Sequence, residues 1–392
     1  MQNTGCDLEK MKRLDEKQAV RVLFLGREHR MRRRETMLHA PKGIVFQSRQ
    51  PLAAMKREYE LSNTNNRSAF EKIRSAFQQE HYLSKKSLQQ IDLIYSPGKI
   101  VLNKFPHVIE IDNVAVLAYY NLKLLKLGKS WIQKQLESPY CKSIICISHA
   151  AKAGVLHFFH SATIRKKTQV VYPYMEEHFN LRTKNKKHTE FLFISTNFYL
   201  KGGKELVNVF ENLKQKAKLT IITKVKDIEH SLLRKIQSNK NITLVEANKS
   251  KKELYQKYYA RADVFILPTF QDSFGLVILE ALSFGLPIIS TNSYAIPEMV
   301  HHGKNGYLIN PPFQYFDQRT QLPNSKIWKK NLAAYTRQTS FPSVEKELKH
   351  HLKKLLEHPE IIKNMQKESE KLFKRKFNEQ KRLQFMKAAL VK

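Results

Sequence analysis

The chain has 392 residues, of which 69 are Lys or Arg and 35 are Asp or Glu, so its formal net charge is +34 at pH 7. Hydrophobic residues make up 42% of the sequence, which suffices for ordinary cores and excludes global disorder. No apolar run reaches the roughly 18 residues of a membrane-spanning helix, and the start lacks the apolar core of a secretory signal. The length suits two domains of ordinary size.

The net charge of the chain indicates which partners it can bind, and its cysteine content indicates its cellular compartment. The excess of positive charge draws a protein to polyanions, and both nucleic acid and anionic lipid headgroups are candidates. The alternative is a set of solvated surface lysines. Only three cysteines occur, Cys6, Cys141 and Cys146, and no Cys/His cluster has zinc spacing. We therefore expect reduced thiols in a cytoplasmic protein and no bound metal.

The first half of the chain alternates apolar strands with helical stretches, which is typical of α/β architecture with a parallel, doubly wound sheet. Strands are predicted at 20–25, 43–46, 91–95, 107–111, 142–147 and 168–172, and helices at 68–90 and 149–160. A basic stretch follows the first strand and includes Arg27 and Arg30. These two arginines are candidate contacts for phosphate or a membrane, and the alternative is a solvated helix face.

The alternation restarts after a lysine-rich segment at 182–188, which we interpret as a domain boundary. Strands are predicted at 190–194, 218–222, 242–245, 264–267 and 287–290, an irregular insertion of unassigned role at 311–343, and helices from 344 onward. The resulting domain prediction is a first Rossmann-like domain over 1–178, a second over 179–372, and a C-terminal helix over 373–392 that packs back on the first domain.

The most informative stretch is Asp272-Ser-Phe-Gly-Leu-Val-Ile-Leu-Glu280, which follows the strand ending at Pro268 and opens an apolar helix. It sets two carboxylates eight positions apart, with Gly275 at the turn. Backbone N–H groups at a helix start attract phosphate. An unpaired carboxylate among apolar residues is costly, so Glu280 implies a hydroxyl-rich ligand that supplies its partners. The layout suits a nucleotide sugar. The alternative is a buried strand and helix with a surface Asp.

A second candidate stretch is Phe193 to Gly203, in which a strand runs into a loop and Lys201 precedes two glycines. A cation at this point can neutralise a diphosphate, and Gly202 permits close approach of the backbone. The alternative is a helix-capping region with a solvated lysine.

A third candidate is Asp112, which follows the strand predicted at 107–111. Ligands in open α/β sheets bind at the carboxyl ends of strands, so Asp112 could face a cleft between the domains. It could equally be a helix N-cap, a position that Asp or Asn fills well. The sequence leaves both interpretations open.

Together these residues resemble the retaining glycosyltransferases of family 4, in group 1, which have the GT-B fold. The resemblance extends from about 190 to 310. Its motifs occur in the family's order as Lys201-Gly202, Asp272 to Glu280, Gly285-Leu-Pro-Ile-Ile289, and Ile296-Pro-Glu298 through Gly306. It implies two Rossmann-like domains whose parallel sheets face each other across a cleft, followed by C-terminal helices.

The resemblance also implies a UDP- or GDP-linked sugar donor that is held mainly by the second domain. Lys201 and Gly202 would contact the diphosphate. Backbone N–H groups would bind the phosphate or the sugar, and they belong to Phe274, Gly275 and Leu276. The family needs no metal, because the lysine and the helix dipole replace it, so we expect no cofactor.

Acidic side chains complete the implied site. Glu280 would hold the ribose hydroxyls and Asp272 those of the donor sugar. Asp272 and Asp112 are the candidate catalytic residues, and Asp112 lies roughly where the family often carries a histidine. The sequence departs from the family in having Asp rather than Glu at 272, and no basic residue at 195–196.

We therefore expect a cytoplasmic, membrane-associated hexosyltransferase of polysaccharide biosynthesis. It would transfer a sugar, with retention, to a glycan, lipopolysaccharide or glycolipid acceptor, and its positive first domain would bring it to the inner face of the plasma membrane. Two alternatives stay open. One is a basic nucleic-acid-binding protein, which the charge alone favours and no binding motif supports. The other is a degenerate GT-B protein that binds sugar nucleotides without turnover.

Overall fold

The structure is a computed structural model, and it describes residues 19–25, 31–48, 83–183, 188–213 and 217–391. The chain divides into two compact units, Met1–Tyr174 with Glu379–Lys392, and Met175–Asn378. Each unit is built on one six-stranded sheet. In the described ranges, no helix is long and apolar enough to cross a membrane. Most of the helix predicted at 68–90 lies outside these ranges.

The first unit contains a parallel sheet with the strand order β2-β1-β3-β4-β5-β6. Its strands are β1 (Val20–Phe24), β2 (Ile44–Ser48), β3 (Leu93–Pro97), β4 (His107–Ile111), β5 (Cys141–Cys146) and β6 (Thr168–Val170). Its first helices are α1 (Met31–Leu38), α2 (Leu122–Leu127), α3 (Lys129–Glu137), α4 (His149–Phe159) and α5 (Ala162–Lys167). All six predicted strands are confirmed. β4 is buried along its whole length, as expected for a central strand of a parallel sheet.

The second unit contains another parallel sheet, with the order β12-β11-β10-β7-β8-β9. Its strands are β7 (Thr189–Ile194), β8 (Ala217–Thr223), β9 (Ile242–Glu246), β10 (Val264–Leu267), β11 (Ile288–Thr291) and β12 (Gly306–Ile309). Its helices are α6 (Gly203–Glu211), α7 (His230–Ser238), α8 (Lys251–Glu253), α9 (Leu276–Ser283), α10 (Ser325–Trp328), α11 (Leu332–Gln338), α12 (Pro342–Glu357) and α13 (Pro359–Lys376). A π-helical turn over Leu254–Tyr259 follows α8 directly.

Two features of the second unit differ from the sequence-based expectation. The strand β12 was not predicted, because a four-residue strand is too short to show a distinct periodicity. The insertion at 311–343 is not wholly irregular, since it contains α10 and α11. Both helices are short and therefore escape a search for helical spacing.

The last helix, α14 (Glu379–Leu390), packs on the sheet of the first unit. Its residues Met386 and Leu390 join the apolar core around β1, β3 and β4. The side chain of Arg382 is 4% exposed and donates a hydrogen bond of 3.1 Å to the backbone oxygen of His39. The chain therefore returns to its first unit after completing the second.

The topology of the second sheet positions the candidate site. In a parallel sheet, all carboxyl ends lie at one edge, and ligands of open α/β sheets bind there. β10 lies directly between β11 and β7. The loops that follow β7 and β10 are consequently neighbours, although their residues are far apart in sequence.

Candidate functional site

The loops after β7 and β10 meet at an ion pair. The Nζ of Lys201 lies 2.8 Å from Oδ2 of Asp272 and also donates a hydrogen bond to the backbone oxygen of Gln271. Both charged side chains are only 16% exposed, so water screens this pair less than a surface pair. The structure thus brings together a cation and an acid that lie 71 positions apart.

Glycines set the position of Lys201. The 3₁₀ turn Tyr199–Lys201 ends at Gly202, whose φ of +74° lies in the left-handed region that favours glycine. A Cβ atom on Gly202 would collide with the backbone oxygen of Pro268, at the end of β10. A Cβ atom on Gly203 would collide with the ring of Phe198. The Lys201 turn can therefore lie against the end of β10 only because Gly202 lacks a side chain, and Gly203 leaves room for the ring of Phe198.

Asp272 also organises the start of α9. Its Oδ1 accepts a hydrogen bond of 3.1 Å from the backbone N–H of Phe274, so one of the three amides predicted for the donor is engaged by Asp272. Gly275 is the N-cap residue, with a φ of +86°, and no side chain in the described part of the chain caps this helix start. Gly275 and Leu276 thus stand at the positive end of the α9 dipole.

Glu280 lies one turn into α9 and is 7% exposed. Its Oε2 accepts a hydrogen bond of 2.8 Å from the Tyr259 hydroxyl, and its Oε1 accepts one of 3.3 Å from Tyr255. The expectation that Glu280 has no protein partner is therefore wrong. A carboxylate oxygen can accept more than one hydrogen bond.

The two tyrosines belong to the π-helical turn Leu254–Tyr259, and their ring centroids are 5.7 Å apart. Burial and the neighbouring Glu280 carboxylate hold the pKa of Tyr259 well above its usual value, so its hydroxyl remains a donor. Sequence analysis missed Tyr255 and Tyr259. Tyrosines at this spacing in a helical stretch are indistinguishable from ordinary core aromatics. π-Helical turns, in contrast, are rare and concentrate at functional sites.

The 311–343 insertion contacts the candidate site. The side-chain amide of Gln271 donates a hydrogen bond of 2.6 Å to the hydroxyl of Tyr315. Phe316 stacks on Tyr294 with ring centroids 3.8 Å apart, and Tyr294 has a φ of +46°, which is unusual for a residue with a side chain. Gln271 follows β10 and Tyr294 follows β11, so the insertion lies along the carboxyl ends of both strands.

Asp112 lies in the first unit and is 5% exposed. It accepts hydrogen bonds from the backbone N–H of Asn113 (2.8 Å) and from the hydroxyl of Tyr120 (2.9 Å). The N-cap of the following 3₁₀ helix, Val114–Ala118, is Asn113, whose side chain accepts a hydrogen bond from the backbone N–H of Ala115. The helix-cap interpretation of this stretch is therefore confirmed for Asn113, and Asp112 is not itself the cap. Tyr119 and Tyr120 have φ values of +58° and +62°, and backbone strain of this kind clusters at functional sites.

The remaining predictions concern arginines and metals. Arg27 and Arg30 lie outside the described residues. Within the part of the chain that the structure describes, no group of three or more His, Cys, Asp or Glu side chains is arranged to hold a metal ion. Among the charged candidate residues, Lys201, Asp272 and Glu280 lie in the second unit and Asp112 lies in the first.

Two six-stranded parallel sheets with flanking helices, one in each unit, are typical of the GT-B class of architecture. Residues 175–320 match the family model of the glycosyl transferases group 1, so the predicted resemblance to group 1 is confirmed over this stretch.

The curated relatives match only in part. The chain is 35% identical over 128 residues to a probable sucrose-phosphate synthase of Thermosipho melanesiensis, which is 32% of this chain and 28% of that protein. It is 43% identical over 56 residues to the sulfoquinovosyl transferase SQD2 of Arabidopsis thaliana, which is 14% of this chain and 11% of that one. The chain thus spans less than a third of either relative.

Among solved structures, the chain is similar to Anabaena HepE in complex with UDP-glucose. The TM-score is 0.59 at 13% identity, over 94% of this chain and 98% of HepE. At this identity the likeness shows the fold, and it confirms the GT-B fold that the sequence resemblance implied.

Proposed function

We propose that the chain is a retaining group 1 glycosyltransferase that moves a hexose from a nucleoside diphosphate sugar to a glycan, lipopolysaccharide or glycolipid acceptor. The observation that carries the proposal is the Lys201–Asp272 pair, 2.8 Å apart, beside the start of α9. A cation and a helix start that converge on one point suit a diphosphate. A neighbour of the same fold is described in complex with UDP-glucose, which supports a UDP-linked donor; GDP-linked donors stay in the proposal.

Each residue of the site has a task in this proposal. Lys201 and the amides at the start of α9 neutralise the charge that develops on the leaving diphosphate, and Gly202 allows the backbone to approach it. Glu280, held by its two tyrosines, accepts hydrogen bonds from the ribose. Asp272 orients Lys201 and accepts from the donor sugar.

Retention requires that the new bond form on the face from which the leaving group departs. The bond between the sugar carbon and the diphosphate oxygen breaks, the acceptor oxygen bonds to the same carbon, and the acceptor proton passes to the leaving phosphate. Lys201 stabilises that phosphate before and after the proton arrives. We propose that Asp112, which accepts a hydrogen bond from Tyr120, acts on the acceptor.

We also propose that the reaction needs no metal. Lys201 and the α9 dipole supply positive charge of the kind that a divalent cation supplies elsewhere. Transfer should then persist in the presence of a chelator.

A cytoplasmic location with peripheral contact to the inner membrane face completes the proposal, and the charge of +34 supports that contact.

The test is a transfer and hydrolysis assay with UDP-glucose, UDP-galactose, UDP-N-acetylglucosamine and GDP-mannose. We expect Lys201→Ala and Glu280→Ala to lower the rate by about 100-fold or more. Lys235→Ala is the matched control, because Lys235 forms an ion pair with Glu211 at 3.0 Å on an exposed face of the same unit. Equal rates in all four proteins would remove the site assignment. Donor binding by calorimetry without product would identify a degenerate enzyme instead.

A further inference from the structure

Three large apolar side chains lie together on the surface of the first unit. Leu127, at the end of α2, is 85% exposed, Leu124 is 46% exposed, and Trp131 in α3 is 42% exposed. Their spacing of three and four positions is that of one helix face. Single exposed apolar residues are ordinary, but a group of them marks an interaction surface.

The opposite face of the same helices forms part of the core. Leu125, Ile132 and Leu136 are at most 3% exposed. The helical hydrogen bonding continues across the junction, because Gly128 donates to the backbone oxygen of Leu124 and Ile132 donates to that of Gly128, each at 2.8 Å. The helices are therefore apolar on two sides, and only one of these sides packs into the core of the first unit.

The uncovered side is surrounded by positive charge. Lys123, Lys126 and Lys134 are exposed, and the sequence from 113 to 136 contains no Asp or Glu. We give the name α2–α3 surface to six exposed residues of these helices, Lys123, Leu124, Lys126, Leu127, Trp131 and Lys134. An apolar centre with a cationic rim and no acid is complementary to an apolar layer bounded by negative charge.

We propose that the α2–α3 surface docks on an anionic lipid bilayer. Leu124 and Leu127 would enter the boundary between headgroups and acyl chains, as the apolar face of an interfacial helix does. Trp131 would lie at the level of the headgroups, where tryptophan is enriched. The lysines would extend their ammonium groups to the lipid phosphates. A nucleic acid would match the lysines but leave the leucines without a partner, so the lipid surface fits the whole group better.

This inference deepens the proposed function and rests on it, since a lipid-linked acceptor would then be met where the enzyme docks. It also assigns part of the positive charge of the chain to a specific surface, the α2–α3 surface. The arginines after β1, which sequence analysis considered for the same role, lie outside the described residues.

The test is co-sedimentation of the full-length protein with phosphatidylcholine vesicles, with and without phosphatidylglycerol. We expect binding only to the anionic vesicles. Leu127→Ser with Trp131→Ser should reduce it at least about tenfold, because the exposed apolar area is lost. Lys123→Gln with Lys126→Gln should reduce it about 25-fold, or roughly fivefold for each of the two lysines.

Matched control variants remove the same kinds of side chain, a leucine and two lysines, from the second unit. Leu181→Ser alters a leucine of the second unit that is 38% exposed, and Lys349→Gln with Lys353→Gln removes two exposed charges from α12. Both controls should bind vesicles within about twofold of the wild type, since long-range charge effects are screened by salt. Circular dichroism should be unchanged in every variant, because all the altered side chains are exposed.

Several results would overturn the proposal. One is equal vesicle binding by wild type and surface variants, and another is binding that ignores lipid charge. Dimerisation of the wild type that the leucine and tryptophan changes abolish would assign the surface to a second copy of the chain. Duplex DNA binding that the lysine changes abolish, without vesicle binding, would assign it to nucleic acid. UDP and GDP affinities, measured on the same proteins, separate the outcomes: if neither nucleotide binds, the proposed function fails, while the vesicle data still decide the surface.

Discussion

Glu205 provides a test of the second unit that does not depend on any ligand. This residue lies in α6, directly after the Lys201 turn, and its side chain is 0% exposed. Neither of its carboxylate oxygens has a hydrogen-bond partner in another described residue. Burial raises the pKa of Glu205 from 4.5 to about 7, and the carboxylate of Glu345 adds a smaller contribution in the same direction. We predict that Glu205→Gln changes how stability depends on pH.

The size and sign of the effect follow from linkage. The folded state holds the Glu205 proton up to about pH 7, whereas the unfolded chain loses it near pH 4.5. Between these values the folded state binds more protons, so its stability falls as pH rises. Above both values the loss amounts to about 3 kcal/mol. Glu205→Gln removes this titration, so the variant should gain up to that amount relative to wild type at about pH 8, and little or nothing at about pH 5.

The measurement is urea unfolding at both pH values. The chain has two tryptophans, Trp131 in the first unit and Trp328 in the second. In a Trp131→Phe background, fluorescence therefore reports the unfolding of the second unit alone. Melting temperatures should shift in parallel, by roughly 2–4 °C for each kcal/mol in a unit of this size.

Glu211→Gln is the matched control for this experiment. Glu211 lies in the same helix, but its side chain is 45% exposed and pairs with Lys235, so its removal should leave the pH dependence unchanged. The reasoning would be refuted if wild-type stability did not fall between about pH 5 and pH 8, or if Glu205→Gln lost stability with pH as steeply as the wild type.

Three further predictions concern the candidate site. Asp272→Asn should raise the affinity for free UDP or GDP by roughly tenfold, because Lys201 loses its competing acid, and it should lower the rate of sugar transfer. Calorimetry measures the affinity and a transfer assay the rate. A rise in both quantities, or a fall in both, would contradict this prediction. Tyr259→Phe should weaken nucleotide binding about fivefold, because one hydrogen bond that holds Glu280 is lost, and an unchanged dissociation constant would count against it. Gly202→Ala should abolish donor binding while circular dichroism stays near wild type, because the added Cβ collides with the end of β10; retained binding would show that the turn tolerates a side chain.

The sequence was sufficient to place five of the six strands of the second unit, β7 to β11, and its main loops. Buried parallel strands are short apolar runs bounded by polar loops, so each could be recognised locally. The family resemblance assigned Lys201 and Asp272 to one donor site. Their direct contact depends on β7 and β10 being neighbours in the sheet, which local sequence patterns do not determine.

The sequence alone could not identify the hydrogen-bond partners of Glu280. A buried carboxylate can be satisfied by a ligand or by the protein, and only coordinates show that Tyr255 and Tyr259 supply its hydrogen bonds. The N-cap role considered for Asp112 was decided in the same way, since Asn113 occupies that position. Such choices depend on side-chain geometry between elements, which residue spacing does not encode.

The sequence by itself determined the α/β class, the positive charge and the residues that resemble a glycosyltransferase donor site, because these depend on composition and local order. The tertiary structure decided which side of α2 and α3 stays in solvent, and that the insertion reaches Gln271 through Tyr315. Both outcomes depend on how distant segments pack. An apolar helix face looks the same in sequence whether it enters the core or remains uncovered.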